Sequence, residues 1–259
     1  MSTTTRLDSQ INNAAYLSAI ILFVFTVVSM FGVYDAPTGS TATEKVAWLN
    51  NNNSGFVLSW VTQIVQVFTL TIIFAAACWK VFSVNPLAAV SGGIILMLGT
   101  MAILITKGTE LWIVPLAAQD LAAGSPSQEP GLTLLSINSQ SYPYSLTTYF
   151  DYLGLWLWSV TGLLVARPLF QFSTSAKVAA ISLGLFGVIY PVFYGLLVTG
   201  VIPLKDITDY STFMLLAWIA AFALGIYCRG ESKADACITT SASAGKAASA
   251  LMTRSRLHA

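Results

Sequence analysis

Six long apolar stretches run through the chain, near Ala14 to Tyr34, Ser59 to Trp79, Pro86 to Thr106, Tyr149 to Arg167, Lys177 to Gly200 and Asp209 to Cys228. A helix needs about 20 apolar residues to cross roughly 30 Å of hydrocarbon, and these stretches have that length. Lipid offers no partner to backbone N–H and C=O groups, so each span must satisfy its own as a helix. The alternating pattern of a membrane β-barrel is absent. Composition agrees, with 56% of residues hydrophobic and 9% charged, where a soluble domain carries about 25% charged residues. The expected fold is all-α: one polytopic bundle of six transmembrane helices, with the lipid bilayer as its first partner.

Lysine and arginine positions give the expected orientation. With the N-terminus cytoplasmic, Arg6, Lys80, Arg167, Lys177, Arg229, Lys233, Lys246, Arg254 and Arg256 fall inside, and Lys45, Lys107 and Lys205 fall outside. That asymmetry of nine to three places both termini in the cytoplasm, because cytoplasmic flanks of spans are enriched in cations. The expected division is an N-terminus at 1–13, a membrane domain at 14–228 with outer loops 35–58 and 107–148, and a flexible basic tail at 229–259. The plasma (inner) membrane is the expected location. The first stretch is too long for the roughly 7 to 15 apolar residues of a secretory signal.

The longer outer loop holds Pro115 where a helix would start and Gly124 where one would stop. This predicts a short surface helix over Leu116 to Ala123, with Trp112 at headgroup level. The shorter one holds the polar run Asn50 to Ser54.

The chemistry-bearing residues are few. The single histidine is His258, so catalytic triads and imidazole-based metal or haem sites lack their usual base or ligand. Lys80 and Lys107 sit at expected helix ends. There is no GxxxxGK loop to cradle phosphate, and no two carboxylates share a span to act as acid and base. Cys78 and Cys228 lie at expected inner helix ends and Cys237 in the tail, where a reducing compartment forms no disulfide framework. The reading is a non-enzyme with no catalytic residue, no cofactor and no metal; the net charge of +1 gives no basic block for nucleic acid.

Intramembrane polarity is the remaining signal. Ser59, Thr62, Gln66 and Thr69 recur at steps of three and four, which stacks them on one face of the second span with Gln63 beside them. Such a stripe either lines a solute path or bonds helix to helix. Asp151 stands near the start of the fourth span, either in its first turn, where the helix dipole favours an anion, or in a polar pocket. Tyr190, Pro191 and Tyr194 fall at similar depth in the fifth. The candidate pocket is therefore Gln63, Gln66, Asp151, Tyr190 and Tyr194, in the outer half. Small residues repeat every fourth position at Ala176, Ala180 and Gly184 and at Ala217, Ala221 and Gly225, faces that permit close helix packing. Trp156, Trp158 and Trp218 lie too deep for an interfacial belt and are expected between helices or against a lipid chain.

Trp158, Gly162, Leu163, Leu164 and Arg167, followed after a short loop by Lys177, Gly184, Gly187 and Tyr190, resemble a helical hairpin of bacterial six-span proteins grouped under a domain of unknown function. The resemblance implies six spans and no activity. The expected function is that of a non-catalytic accessory or assembly subunit bound to other membrane protein subunits. The alternative is a small-solute transporter or lipid-binding protein using the outer pocket.

Overall fold

The structure, a computed structural model, describes residues 3–30, 37, 41–123, 128–140, 142, 145–202 and 213–233. The expected basic tail beyond Lys233, with Cys237 and His258, lies outside the described residues, as does Lys205. Among the described residues seven helices follow in chain order: α1 (Thr3–Met30), α2 (Ala42–Phe82), α3 (Pro86–Ala122), α4 (Gln128–Asn138), α5 (Leu146–Leu169), α6 (Thr174–Val198) and α7 (Met214–Lys233). Among the described residues there is no strand. All but α4 are long and apolar enough to cross a membrane, the make-up of a multi-pass membrane protein.

Local chemistry sets the helix ends. Thr41 and Glu44 form a reciprocal capping box at the start of α2, satisfying backbone donors that have no helical partner. Asn85 caps α3 with Pro86 just inside it, where the missing N–H costs nothing. Ser145 and Ser173 cap α5 and α6. Just past α6, Gly200 takes a φ of 74°, the left-handed turn that glycine adopts without strain.

α3 is the central helix, packed along both α2 and α5; α6 lies on α5 and α1 on α2. α7 packs on α1, with Phe222 edge-on to Phe23, and on the connection between α5 and α6, with Tyr227 against Phe172. Both described chain ends lie at one end of the bundle. There the Trp79 indole donates to Asp8 at 2.7 Å and Ser232 donates to Asn13 at 2.9 Å.

Two expectations change. Residues 42–58 and 107–122, expected within outer loops, are helical extensions of α2 and α3. At 41 and 37 residues, these helices measure about 60 and 55 Å at about 1.5 Å per residue, far beyond the roughly 30 Å of hydrocarbon. Their overhang projects from the end away from the termini and has its own core: Val46, Leu49, Phe56 and Trp60 against Val114, Ala118 and Leu135 of α3 and α4. The polar run that reads as a loop is the solvated side of this helix, with Asn50, Asn51 and Ser54 exposed. It bends at Asn52 (φ −120°, ψ 18°), whose side-chain amide donates to the Trp48 carbonyl at 2.9 Å, so a side chain competes with the helix ladder.

The separate surface helix over Leu116 to Ala123 is likewise not formed as such. α3 runs unbroken through Pro115. Proline there removes one ladder bond, and burial of Val114, Pro115, Ala117 and Ala118 holds the helix together across it. Trp112 stays largely exposed, at 73%.

Candidate functional site

A cavity of about 310 Å³ opens between α2, α3, α5, α6 and α7 in the half of the bundle away from the termini. Four of the five residues of the sequence-predicted pocket line it: Gln63 and Gln66 from α2, Asp151 from α5 and Tyr190 from α6. The stripe containing Gln66 points inward, since Ser59, Thr62 and Thr69 are buried. Gln66 also reaches α1, donating to the Ser29 hydroxyl at 3.1 Å. The fifth residue, Tyr194, is not in the lining. One helical turn beyond Tyr190, it passes the cavity and stacks on Trp156 at 6.4 Å between ring centroids.

Asp151 is not in the first turn of its helix. α5 starts at Leu146 with Ser145 as cap, so Asp151 stands in the second turn and faces α3. There its carboxylate meets Lys107, with Nζ 3.1 Å from Oδ1 and 3.2 Å from Oδ2. The Gln140 side-chain amide donates to Oδ2 at 3.0 Å. The Lys107 ammonium lies 4.8 Å from the centroid of the Trp60 ring, an attractive cation–π distance. The lysine, expected at a helix end, is thus inside α3 and only 6% exposed.

Lys107, Gln140 and Glu110 belong to this site beyond the residues expected from sequence. Glu110 is fully buried one turn from Lys107 and accepts the Gln140 backbone N–H. A signal for two of them exists. Leu96, Ile103, Lys107, Glu110 and Val114 follow helical spacing along the buried side of α3, so the apolar face of the span leads directly to both charges. Gln140 had no such marker, because it reaches the site from the connection between α4 and α5.

Aromatic and apolar side chains complete the walls. Tyr152 stacks on Tyr190 at 6.5 Å with rings 17° apart, and Phe193 lies 6.0 Å from Tyr190. Trp158 and Trp218 close two further sides. Trp158 is 1% exposed and donates from its indole to Thr100 at 3.2 Å, which in turn shares a hydrogen bond with Thr71 at 2.9 Å. Trp156 and Trp218 are half-buried. The Tyr190 hydroxyl is buried, with the residue 2% exposed, and has no hydrogen-bond partner among the described residues. Such a group carries a desolvation cost of about 1–3 kcal/mol until something bonds to it.

The small-residue faces are occupied within the chain. Ala176, Ala180, Ala217 and Ala221 are buried in the bundle core. Gly225 sits directly against Ala19 of α1, and the nearest neighbour of Gly184 is Ala166 of α5. Cys78 and Cys228 are buried free thiols. Among the described residues no group of three His, Cys, Asp or Glu side chains is placed to hold a metal ion.

No protein family, no curated protein and no solved structure matches the chain.

Proposed function

We propose that this multi-pass membrane protein binds a small polar solute in the cavity between α2, α3, α5, α6 and α7, and acts as a carrier or binding protein for it. The observation that carries the reading is the buried Lys107–Asp151 pair in the cavity wall. Burying two charges is costly even when they pair, and a concave site with a few convergent polar groups is the usual form of a small-molecule binding site. The unpartnered Tyr190 hydroxyl in the same wall adds a group that a bound molecule would satisfy. A volume of about 310 Å³ matches about ten waters at roughly 30 Å³ each, enough for a small organic solute. The charge asymmetry supports a plasma-membrane orientation with both termini cytoplasmic and the cavity in the outer half.

Cysteine accessibility tests this. Val67→Cys and Met214→Cys, both in the lining, should react with the membrane-impermeant 2-(trimethylammonio)ethyl methanethiosulfonate added outside intact cells. Ala77→Cys, buried in the core at 1% exposure, should not. Lining cysteines as inert as Ala77→Cys overturn the cavity reading, and labelling of Ser175→Cys from outside in place of Asn52→Cys overturns the orientation.

One observation favours the second reading, an accessory subunit. Trp112, Ile113 and Leu116 are exposed on the overhang of α3, at 73%, 36% and 50%, where another membrane protein could cover them. The small-residue faces no longer support it, since they pack within this chain. A photo-crosslinker at Trp112 giving one discrete adduct in native membranes, lost in Leu116→Asn, would favour the subunit reading.

A further inference from the structure

We infer that the solute is a small zwitterion, an alkylated ammonium and a carboxylate in one molecule; this rests on the cavity reading above and names its ligand class. The lining carries one cation, Lys107, and one anion, Asp151. Their charges cancel, so the cavity holds no net charge to compensate an entering ion. A lone anion or cation would leave its water without a balancing partner, a cost of several kcal/mol in a protein interior. A zwitterion brings its own balance. Inserted between Lys107 and Asp151, it replaces one internal ion pair by two, its carboxylate on the ammonium of Lys107 and its ammonium on the carboxylate of Asp151.

The walls fix which end goes where. Asp151 is followed by Tyr152, which stacks on Tyr190, and Phe193 packs on that ring. Aromatic faces beside a carboxylate suit an alkylated ammonium, whose methyl groups need apolar contact and whose charge is drawn to the ring faces. Lys107 stands on α3 against Trp60, and its remaining donor capacity turns to a carboxylate. An uncharged polyol fits less well. Each of its hydroxyls requires a partner on entry; Gln66 and Gln140 already donate to Ser29 and Asp151, which leaves the Tyr190 hydroxyl and Gln63 for several hydroxyls. Glu110 lies outside the lining, where it accepts the Gln140 backbone N–H.

The experiment uses the full chain in lipid nanodiscs and reads the fluorescence of its tryptophans, two of which, Trp158 and Trp218, line the cavity. The probes are glycine betaine, choline, isobutyrate and glucose. Glycine betaine should give a saturable change, and each of the others should bind at least about tenfold more weakly. Choline, isobutyrate or glucose binding as tightly as betaine overturns the zwitterion and leaves the cavity reading standing. The same holds if no probe binds while Met214→Cys still reacts with the thiol reagent. If no probe binds and Met214→Cys is inert, the cavity reading itself has failed. Asp151→Asn alone strands a buried lysine and can fail to fold, so the decisive variant is Lys107→Gln with Asp151→Asn. It keeps the cavity neutral and polar, and should lose betaine binding by at least about tenfold while remaining folded. Unchanged betaine affinity in the folded double variant overturns the proposal.

Discussion

Along α3 and α5 the same two helices meet in two different ways. At Gly99 and Gly154 they touch backbone to backbone, so close that a Cβ on Gly154 would stand 2.7 Å from the Gly99 carbonyl oxygen. Three residues from Gly154, at Asp151, they are held by a buried ion pair at the rim of a cavity. The glycine seam takes its strength from contact area and admits nothing. The ionic seam sacrifices packing to keep two charges available in a wall. Packing is the ordinary way to hold spans together, because lipid supplies little hydrophobic drive between them. The ionic contact at the cavity is therefore the part of the interface that a purely structural role does not require.

The largest effect should come from breaking the ion pair on one side only. Asp151→Leu leaves the Lys107 ammonium, 6% exposed, without its carboxylate, and should destabilise the fold by about 3–5 kcal/mol. Lys107→Met combined with Asp151→Leu should recover most of that loss, since apolar replacements of a buried pair are often neutral or better. Reversible unfolding in mixed micelles measures both. A single variant as stable as the parent would mean that Lys107 is solvated in place, and the contrast between the two seams would disappear.

Next come the seams themselves. Gly154→Ala places a methyl on Ile103 and on the Gly99 carbonyl, and Gly162→Ala places one 2.8 Å from the Leu183 carbonyl oxygen. Each should cost about 1–3 kcal/mol as helices are forced apart. Gly93→Ala, with no atom within 4 Å, should instead be neutral or stabilise by up to about 1 kcal/mol, because alanine loses less backbone freedom in a helix. Equal effects at all three sites would show that the seams are not close-packed.

The two seams also differ in how far the sequence announces them. The spans are legible because about 20 apolar residues in a row have few other solutions, and the inward stripe of α2 follows from spacing alone. Gln63, Gln66, Asp151 and Tyr190 share a cavity because depth along each helix can be counted from its ends. The pairing of Lys107 with Asp151 across 44 residues depends on how α3 and α5 align, which no local pattern records. Gln140 arrives from a connection whose path is set by packing of α4. The overhangs of α2 and α3 were hidden for a different reason: asparagines beside serine and glycine read as a turn, and only the buried face of Val46, Leu49 and Phe56 makes that segment a helix.

A smaller effect probes the dry half just below the cavity. Thr100 accepts from the Trp158 indole at 3.2 Å and shares a hydrogen bond with Thr71 at 2.9 Å. Thr100→Val keeps the shape and removes the oxygen, so it should cost about 1 kcal/mol. Betaine binding should weaken as well if Trp158 then shifts in the cavity wall. A loss of stability with unchanged binding would place this network wholly on the packing side of the comparison.

The smallest effect belongs to Gln66, which stands on the boundary between packing and cavity. Its side chain lines the cavity, yet its amide nitrogen is spent on Ser29 of α1. Hydrogen bonds between spans contribute about 0.6 kcal/mol on average, because the unfolded chain in lipid also finds partners. Gln66→Leu should therefore lower stability by about that amount and loosen α1 from α2. It should change betaine affinity less than about threefold, well under the factor expected for the charged pair. A loss of affinity as large as that of the Lys107 and Asp151 double variant would move Gln66 from the packing of α1 into the binding wall, and would extend the ligand's polar contacts from the α3–α5 seam across to α2.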